Sequence, residues 1–430
     1  MIGTAKSILS HAPRGESLSG LLGNETVGAP TRTPAIALFG LFGCGNFGND
    51  GSLEAMLNLL RRARPDARLT CICANPDLIR ERFDVSALPI SGAHVADAHG
   101  DRAGGWARKI VEKLRDVLST VRSARKFDLV LIPGTGILDD FGDRPKGMPW
   151  NILRWCLISR LLGAKVAFVC VGAGPIGHPL SRWMMKTAAR LAHYRSYRDV
   201  LSKDFMTGIG LKTDADPVFA DLAFGLAPPQ HRERLGAERL VVGVGVMSYY
   251  GWYSFAEVGA EAHQQYIDNL AALVRQILDR GHRVRLLIGE TADDAAVKTL
   301  MLRLRSQSPA IAEEDLVEAP ASSLHDVMRQ MQETDVVVAT RYHNIVCALK
   351  LAKPTISLGY SKKNDVLMAQ AGLGAFCHDI ESFEVDQVIE QFQSISALRH
   401  QYADAVRAYG ETADFRLAEQ EATLRTMFLE

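Results

Sequence analysis

Short apolar, β-branched runs alternate with longer amphipathic segments along both halves of this chain. The pattern is clear near its end, where residues 335–340 predict a strand, residues 341–353 a helix and residues 355–358 another strand. Strands that alternate with helices form parallel sheets with helices on both faces. Because 430 residues exceed one ordinary core, the sequence predicts an α/β fold with two doubly wound, Rossmann-like domains facing a cleft.

Changes in composition place the boundaries of these domains. Residues 1–33 are rich in Ser, Gly, Thr and Pro and predict a flexible tail. A polar stretch that ends near residue 239 separates an N-terminal domain at 34–230 from a C-terminal domain at 231–382. Residues 383–430 show a helical pattern throughout and predict a closing helical segment.

The net charge, the distribution of apolar residues and the cysteine pattern disfavour several classes of function. The formal net charge of +0 gives no sign of wholesale binding to nucleic acid. The chain shows no apolar signal core and no run of about 18 apolar residues, so we expect a cytoplasmic protein. Seven scattered cysteines predict reduced thiols, and neither a zinc-type His/Cys spacing nor an EF-hand pattern occurs. The sequence therefore predicts no cofactor and no dedicated metal site.

A glycine-rich turn follows the first predicted strand, at residues 40–51. It lacks the Gly-Lys-Ser/Thr ending of a Walker loop, so it is either a backbone cradle for phosphate or sugar or a tight structural bend. Gly45, Asn46 and Asp50 place hydrogen-bonding groups in it, at the carboxyl end of the strand. We expect a helix to follow from about residue 52.

A second glycine bend, containing Gly136, follows the strand predicted at 127–133. Asp139 and Asp140 come one turn later, and they either form a solvated pair or supply a general acid or base. Arg198 follows another strand of this domain, where it either reaches the same edge of the sheet or forms a surface ion pair.

Arg341 and His343 lie where the strand at 335–340 ends and the next helix begins. Ligands of open α/β sheets bind outside the carboxyl ends of the strands. A helix N-terminus in that place adds N–H donors and a partial positive charge. A lone histidine is structural as often as it is functional. The arginine beside it favours a binding site for an anion.

Aromatic residues mark two further candidates. Tyr249 and Trp252 follow the first strand of the C-terminal domain, where they either stack on a sugar or pack against a loop. The amphipathic segment 106–126 places Leu114 on an apolar stripe and predicts either an ordinary surface helix or a peripheral contact with a membrane.

Together these motifs resemble those of the polysaccharide pyruvyl transferase family. The matching segments run in order from about residue 36 to residue 373. They are the glycine turn at 43–48, Pro-Gly-Thr-Gly at 133–136, Val-Gly-Ala-Gly-Pro at 171–175, Tyr-Arg-Asp at 197–199 and Thr-Arg-Tyr-His at 340–343.

The resemblance implies a GT-B-like pair of domains that transfers pyruvate, as a cyclic ketal, from phosphoenolpyruvate to two hydroxyls of a sugar. The sugar would belong to a polysaccharide, such as an exopolysaccharide, or to its lipid-linked precursor. Phosphoenolpyruvate would be a co-substrate, and a divalent ion could accompany its phosphate. A lipid-linked acceptor would bring this cytoplasmic protein into peripheral contact with the inner face of the membrane.

The same resemblance assigns expected roles to the candidate residues. The expected catalytic residues are His343, Arg341 and Asp139. Binding of the anionic donor is expected from Arg341, His343, Asn344, Arg198 and Lys362. Binding of the acceptor is expected from Gly45, Asn46, Asp50, Gly136, Tyr249 and Trp252.

Two other functions fit the same scaffold. One is a GT-B glycosyltransferase that uses a nucleotide sugar, although no acidic residue in the second half is clearly placed to hold a ribose. The other is a non-catalytic carbohydrate- or anion-binding protein. The sequence predicts no particular oligomeric state.

Overall fold

The computed structural model of the protein describes residues 33–91, 106–140, 143–230, 239–251, 259–307 and 311–430. In the helix that begins at residue 106, side chains are described from residue 111 onward. All but the last residue of the tail predicted at 1–33 lies outside these ranges, and so does Trp252.

A parallel sheet forms the centre of the N-terminal domain. Its strands are β1 (Ala35–Phe39), β2 (Arg68–Cys73), β3 (Ser86–Pro89), β4 (Leu129–Pro133), β5 (Lys165–Val171) and β6 (Tyr194–Tyr197). They are arranged in the order β3-β2-β1-β4-β5-β6. The central strands are covered on both faces, so β1 and β4 are buried at every position.

Helices cover the two faces of this sheet. They are α1 (Phe47–Ala63), α2 (Pro76–Phe83), α3 (Trp106–Ala124), α4 (Met148–Leu161), α5 (Pro179–Leu191) and α6 (Val200–Gly208). Ile36 and Leu38 pack on one face, with the cores of α1 and α2. Ala37 and Phe39 pack on the other, with the cores of α4 and α5.

The C-terminal domain repeats this architecture. Its strands are β7 (Val241–Gly245), β8 (Arg283–Leu287), β9 (Leu316–Val317), β10 (Val336–Ala339), β11 (Thr355–Gly359) and β12 (Cys377–Asp379). All pair in parallel, in the order β12-β11-β10-β7-β8-β9. Its helices are α7 (Ala260–Asp279), α8 (Asp294–Gln307), α9 (Leu324–Gln332), α10 (Tyr342–Lys350) and α11 (Lys362–Gln370).

Two helices close the chain, α12 (Val385–Ala397) and α13 (Arg399–Leu424). α12 packs on the C-terminal domain, whereas α13 packs on α10 of that domain and also on the N-terminal domain. Gln420 of α13 is fully buried there. It accepts a hydrogen bond from Ser196 Oγ at 2.6 Å and donates one to the Tyr194 hydroxyl at 3.0 Å.

The predicted pair of doubly wound parallel sheets is confirmed. In each sheet the strand order reverses at one point, between β1 and β4 in the first and between β7 and β10 in the second. Ligands of such sheets bind beyond the carboxyl ends of the strands at these points. In the described part of the chain, no helix combines the length and apolar character needed to cross a membrane.

One local prediction is wrong. The first long helix begins at Phe47 and not at residue 52, because the side-chain oxygen of Asn46 caps it by accepting from the Asn49 N–H at 3.1 Å. On the predicted apolar stripe of α3, Val117 and Val121 pack against the core, whereas the side chain of Leu114 is 58% exposed.

Candidate functional site

A cavity of about 530 Å³ lies between the two domains, at the carboxyl ends of both sheets. Its walls come largely from the segments that follow β1, β4, β7 and β10, which are the four strands at the points where strand order reverses. The sequence-predicted residues that line it are Asn46, Gly136, Asp139, Arg198, Tyr249, Arg341 and His343.

Arg341 precedes the first residue of α10 and directs its guanidinium at two carboxylates. Its Nε and Nη2 donate to Asp293 at 3.0 and 2.5 Å, and its Nη1 lies 2.7 Å from Glu290 Oε2. Asp293 is fully buried and also accepts from the backbone N–H groups of Ser248 and Gly289. Burial opposes the charge of Arg341, but the two carboxylates outweigh it and raise the pKa of the guanidinium. Arg341 is therefore held rigidly and stays charged.

The glycine turn of the N-terminal domain meets the C-terminal domain at Glu290. Asn46 Nδ2 donates to Glu290 Oε2 at 3.4 Å, and the backbone N–H of Phe47 donates to Gly289 O at 3.2 Å. The carboxylate of Glu290 thus lies where a guanidinium from one domain and an amide from the other converge. An anionic oxygen of a ligand would find the same two donors at that position.

His343 lies in the first turn of α10, and its side chain is only 14% exposed. Its Nε2 is 3.8 Å from Asp221 Oδ2 and makes no hydrogen bond to any described residue. A Cβ atom on Gly48 would lie only 1.9 Å from Nδ1, so the ring fills the space that this glycine leaves. The pKa of His343 is lowered to about 4, chiefly by burial; Arg198 and Arg341 contribute to the decrease, and Asp221 opposes it. The imidazole is therefore neutral at neutral pH.

Arg198 reaches the cavity from the N-terminal domain. Its Nη1 donates to Asp221 Oδ2 at 2.9 Å, and its guanidinium carbon lies 4.3 Å from the centre of the Tyr342 ring. The Arg198 side chain is only 7% exposed and that of Asp221 is fully buried, so the ion pair is buried and does not lie at the surface. Such a pair places a fixed positive charge next to His343.

Asp139 lies on the wall formed after β4. Its Oδ2 is 3.6 Å from Nζ of Lys363, which belongs to the first turn of α11 in the other domain. Gly174 leaves room for this carboxylate, since a Cβ there would lie 2.0 Å from Oδ2. Burial lowers the pKa of Lys363 and Arg198 adds to the shift, while Asp139 opposes it. A carboxylate and an amine paired across a cleft in this way can accept and return a proton.

Gly45 lies beside the cavity, between the lining residues Cys44 and Asn46. Its carbonyl accepts from the backbone N–H of Thr291 at 3.0 Å, which ties the turn to the C-terminal domain. Tyr249 lines the opposite end and donates its hydroxyl proton to Glu381.

Besides Gly45, three described residues that were predicted to bind ligands do not line the cavity. Asp50 is buried and accepts from the backbone N–H of Gly43 at 2.8 Å, so it holds the glycine turn in shape. Asn344 is also buried, and neither atom of its amide is hydrogen-bonded to a described residue. Lys362 is exposed, and it is the neighbouring Lys363 that faces the cleft.

Four residues of the site were not predicted: Glu290, Asp293, Asp221 and Lys363. Glu290 and Asp293 follow β8. Because ligands bind beyond the carboxyl ends of strands, the reasoning that identified Arg341 and His343 after β10 would also have identified these two residues. Asp221 and Lys363 have no comparable signal, because only the packing of the two domains brings them against the lining residues Arg198, His343 and Asp139. Among the described residues, no group of three or more His, Cys, Asp or Glu side chains is arranged to hold a metal ion.

The sequence model of one protein family, described as polysaccharide pyruvyl transferase, matches residues 46–362, which is most of the chain. Comparison with curated proteins found no match.

Solved structures with a similar fold share little sequence with this chain. UDP-GlcNAc 2-epimerase from Methanocaldococcus jannaschii is 12% identical, with a TM-score of 0.53 over 84% of this chain and 92% of the other. The glycosyltransferase SnogD from Streptomyces nogalater is 15% identical, with a TM-score of 0.56 over 92% and 99%. MurG from Acinetobacter baumannii is 14% identical, with a TM-score of 0.51 over 90% and 99%. These likenesses show a GT-B-like fold.

Proposed function

The chain belongs to the polysaccharide pyruvyl transferase family, and on this premise we propose that it moves pyruvate from phosphoenolpyruvate to a sugar of a polysaccharide or of its lipid-linked precursor. The product would be a cyclic ketal. The observation that carries the proposal is the convergence of Arg341, Arg198 and a neutral, partly buried His343 on one interdomain cavity. A donor with a phosphate and a carboxylate needs several fixed cationic groups of this kind.

The donor would bind Arg341 at the position that Glu290 now occupies. Asp293 is fully buried and holds Nε and Nη2, whereas the side chain of Glu290 is 27% exposed and contacts only Nη1 of the guanidinium. If the Glu290 side chain rotated away, Nη1 of Arg341 and the side-chain amide of Asn46 would donate hydrogen bonds to an oxygen of the donor's phosphate or carboxylate. Arg198 offers a second guanidinium nearby.

The reaction requires one proton at carbon and two new carbon–oxygen bonds. A proton adds to the methylene carbon of phosphoenolpyruvate, and one sugar hydroxyl adds to the neighbouring carbon and loses its proton. The second hydroxyl then replaces phosphate at that carbon, and its proton leaves with the phosphate. The product has a methyl group, a carboxylate and two ether oxygens on one carbon, so atoms and charge balance.

Two side chains are placed to move these protons. The negative charges of the donor would raise the pKa of His343, which would then take up a proton and deliver it to the methylene carbon. Asp139 would accept the proton of the attacking hydroxyl, and Lys363 Nζ, 3.6 Å away, would stabilise its ionised form. The sugar would lie near Asn46, Gly136 and Tyr249, which line the same cavity.

The proposal is tested with phosphoenolpyruvate and a sugar that has a 4,6-diol, by measuring phosphate release together with a new ketal methyl signal in NMR. In D₂O the methyl group should gain one deuterium from the solvent. We expect His343→Gln and Arg341→Lys to lose activity by roughly 100-fold or more while remaining folded. Full turnover by either folded variant would contradict the assigned roles.

Calorimetry distinguishes the alternatives. Saturable binding of a UDP- or GDP-sugar, without binding of phosphoenolpyruvate, would favour a GT-B glycosyltransferase. Saturable binding of a carbohydrate or an anion without any turnover would favour a non-catalytic binding protein.

Glu290→Gln tests the donor position directly. Removing the charge that competes for Arg341 should lower the KM for phosphoenolpyruvate by roughly three- to tenfold. The matched control is Glu333→Gln, which removes a carboxylate paired with Arg285 at 2.5 Å, far from the cavity, and should leave KM unchanged. A higher KM in Glu290→Gln would show that Glu290 does not occupy the position where the donor binds Arg341.

A further inference from the structure

Eight of the fourteen large apolar side chains that are exposed in the described residues belong to one surface of the N-terminal domain. They lie on α3, on α5, and on α4 together with the residue that follows it. These helices pack side by side, with α4 in the middle, on the face of the sheet opposite α1. We call this surface the outer helical face; its apolar members are Val111, Leu114, Leu118, Leu157, Leu161, Leu162, Leu180 and Trp183.

Packing among the described residues leaves the apolar side chains of the outer helical face exposed. On α3, Val111, Leu114 and Leu118 follow one another at helical spacing and are 53%, 58% and 60% exposed. Val117 and Val121, on the adjoining side of the same helix, pack against the core. The apolar arc of α3 therefore extends from the core out to solvent. Exposed apolar side chains grouped in this way mark a site of interaction.

The outer helical face is also basic. α4 and α5 contain no Asp or Glu, and the two acidic residues of α3 are Glu112, which is half-buried, and Asp116, which is buried 3.4 Å from Arg154. The exposed arginines of the three helices are Arg115, Arg122, Arg160, Arg182 and Arg190. In a chain with a formal net charge of +0, positive charge is thus concentrated on the surface that is also the most apolar.

We propose that the outer helical face docks on the surface of an anionic lipid bilayer. Leucines and a tryptophan that project between arginines match the boundary between acyl chains and anionic headgroups. Tryptophan side chains are enriched at the level of the lipid headgroups, and Trp183, which is 54% exposed, would lie there. A second copy of the chain is a poorer partner, because a symmetric contact would bring the same arginines together.

The test is sedimentation of the full chain with vesicles of phosphatidylcholine, with and without phosphatidylglycerol. One variant removes apolar contact (Leu114→Gln, Leu118→Gln and Trp183→Ala), and a second reverses charge (Arg115→Glu and Arg122→Glu). The matched control changes an exposed leucine and arginine of α8 in the other domain (Leu302→Gln and Arg305→Glu). All substituted side chains are exposed, so the Tm of each variant should stay at the wild-type value, and none of them contacts the cavity.

We expect binding to the anionic vesicles to exceed binding to phosphatidylcholine by roughly tenfold or more and to weaken with added salt. Both test variants should lose roughly tenfold in binding, and the control should lose none. No binding, equal binding to both vesicle types, or test variants that bind like the wild type would overturn the proposal. A dimer in light scattering that dissociates in the apolar variant would overturn it too and assign the face to a second copy.

Discussion

Gly48 lies against the imidazole of His343, in the first turn of α1. Its backbone is helical, so α1 itself would tolerate alanine there, but the added Cβ would lie 1.9 Å from Nδ1 of the ring. The Gly48→Ala substitution would therefore displace the His343 ring or increase the separation of the two domains. We expect catalytic activity to fall by roughly 100-fold or more, close to the effect of His343→Gln.

Activity and Tm together check this prediction. The control is Gly208→Ala, at the end of α6, where a Cβ would meet nothing within 4 Å. It should keep full activity and gain up to about 1 kcal/mol in stability, since alanine is the better helix former. Full activity in Gly48→Ala would mean that His343 is not held in the position described.

His343 also makes stability depend on pH. Burial lowers its pKa in the folded protein to about 4, below the ordinary value of 6.5. Between these two values the unfolded chain binds a proton that the folded protein does not, so stability is lost as pH falls through this window. The loss is at most about 3 kcal/mol. Urea unfolding of wild type and His343→Gln between pH 7 and pH 4 should show the smaller loss in the variant, and parallel curves would contradict the burial argument.

At the scale of elements, the strands were predictable because strands covered on both faces are continuous apolar runs. β1, β4, β10 and β11 all lie where the sequence placed them. The start of α1 was missed, because the cap that Asn46 provides lies inside a glycine-rich segment typical of a loop. α2, β3 and α11 were missed as well, because short and mixed segments have no clear period.

The glycine turn before α1 depends on Asp50. Its Oδ1 accepts the backbone N–H of Gly43 at 2.8 Å and its Oδ2 accepts from Arg82 at 3.1 Å. Asp50→Ala would leave a buried N–H without a partner, and we expect a loss of about 1 to 3 kcal/mol in unfolding free energy. Asp50→Asn keeps an acceptor for Gly43 and should cost less. Urea denaturation of both variants measures the difference, and equal losses would mean that the turn does not rely on this bond.

At the scale of the whole molecule, the sequence could indicate the edge of each sheet where ligands bind, but not how the two edges meet. Arg341 and His343 were found because they follow β10. The neighbours of His343 are not local: Asp221 and Gly48 come from the other domain. Lys362 was predicted instead of Lys363, since the side chain that faces the cleft is decided by how α11 lies against the N-terminal domain. Such pairings arise only from tertiary packing.

Gln420 links the last helix to the first domain. Gln420→Leu would leave the buried hydroxyl of Tyr194 without its amide partner and Ser196 Oγ without its acceptor. We expect a loss of about 1 to 3 kcal/mol in unfolding free energy. The exposed Glu411→Gln on the same helix is the control and should lie within about 0.5 kcal/mol of wild type. Equal stability of the two variants would show that α13 is held by other contacts.

The return of α13 has a consequence for how the protein is made. Ser196 and Gln420 are 224 residues apart, so a ribosome adding about 5 to 20 residues per second needs roughly 10 to 45 s to produce the second partner after the first. During that interval the N-terminal domain exists without the helix that covers Ser196 and Tyr194. The emerging chain would thus expose a partly apolar surface for seconds, and its yield should depend on chaperones that bind nascent chains over that time.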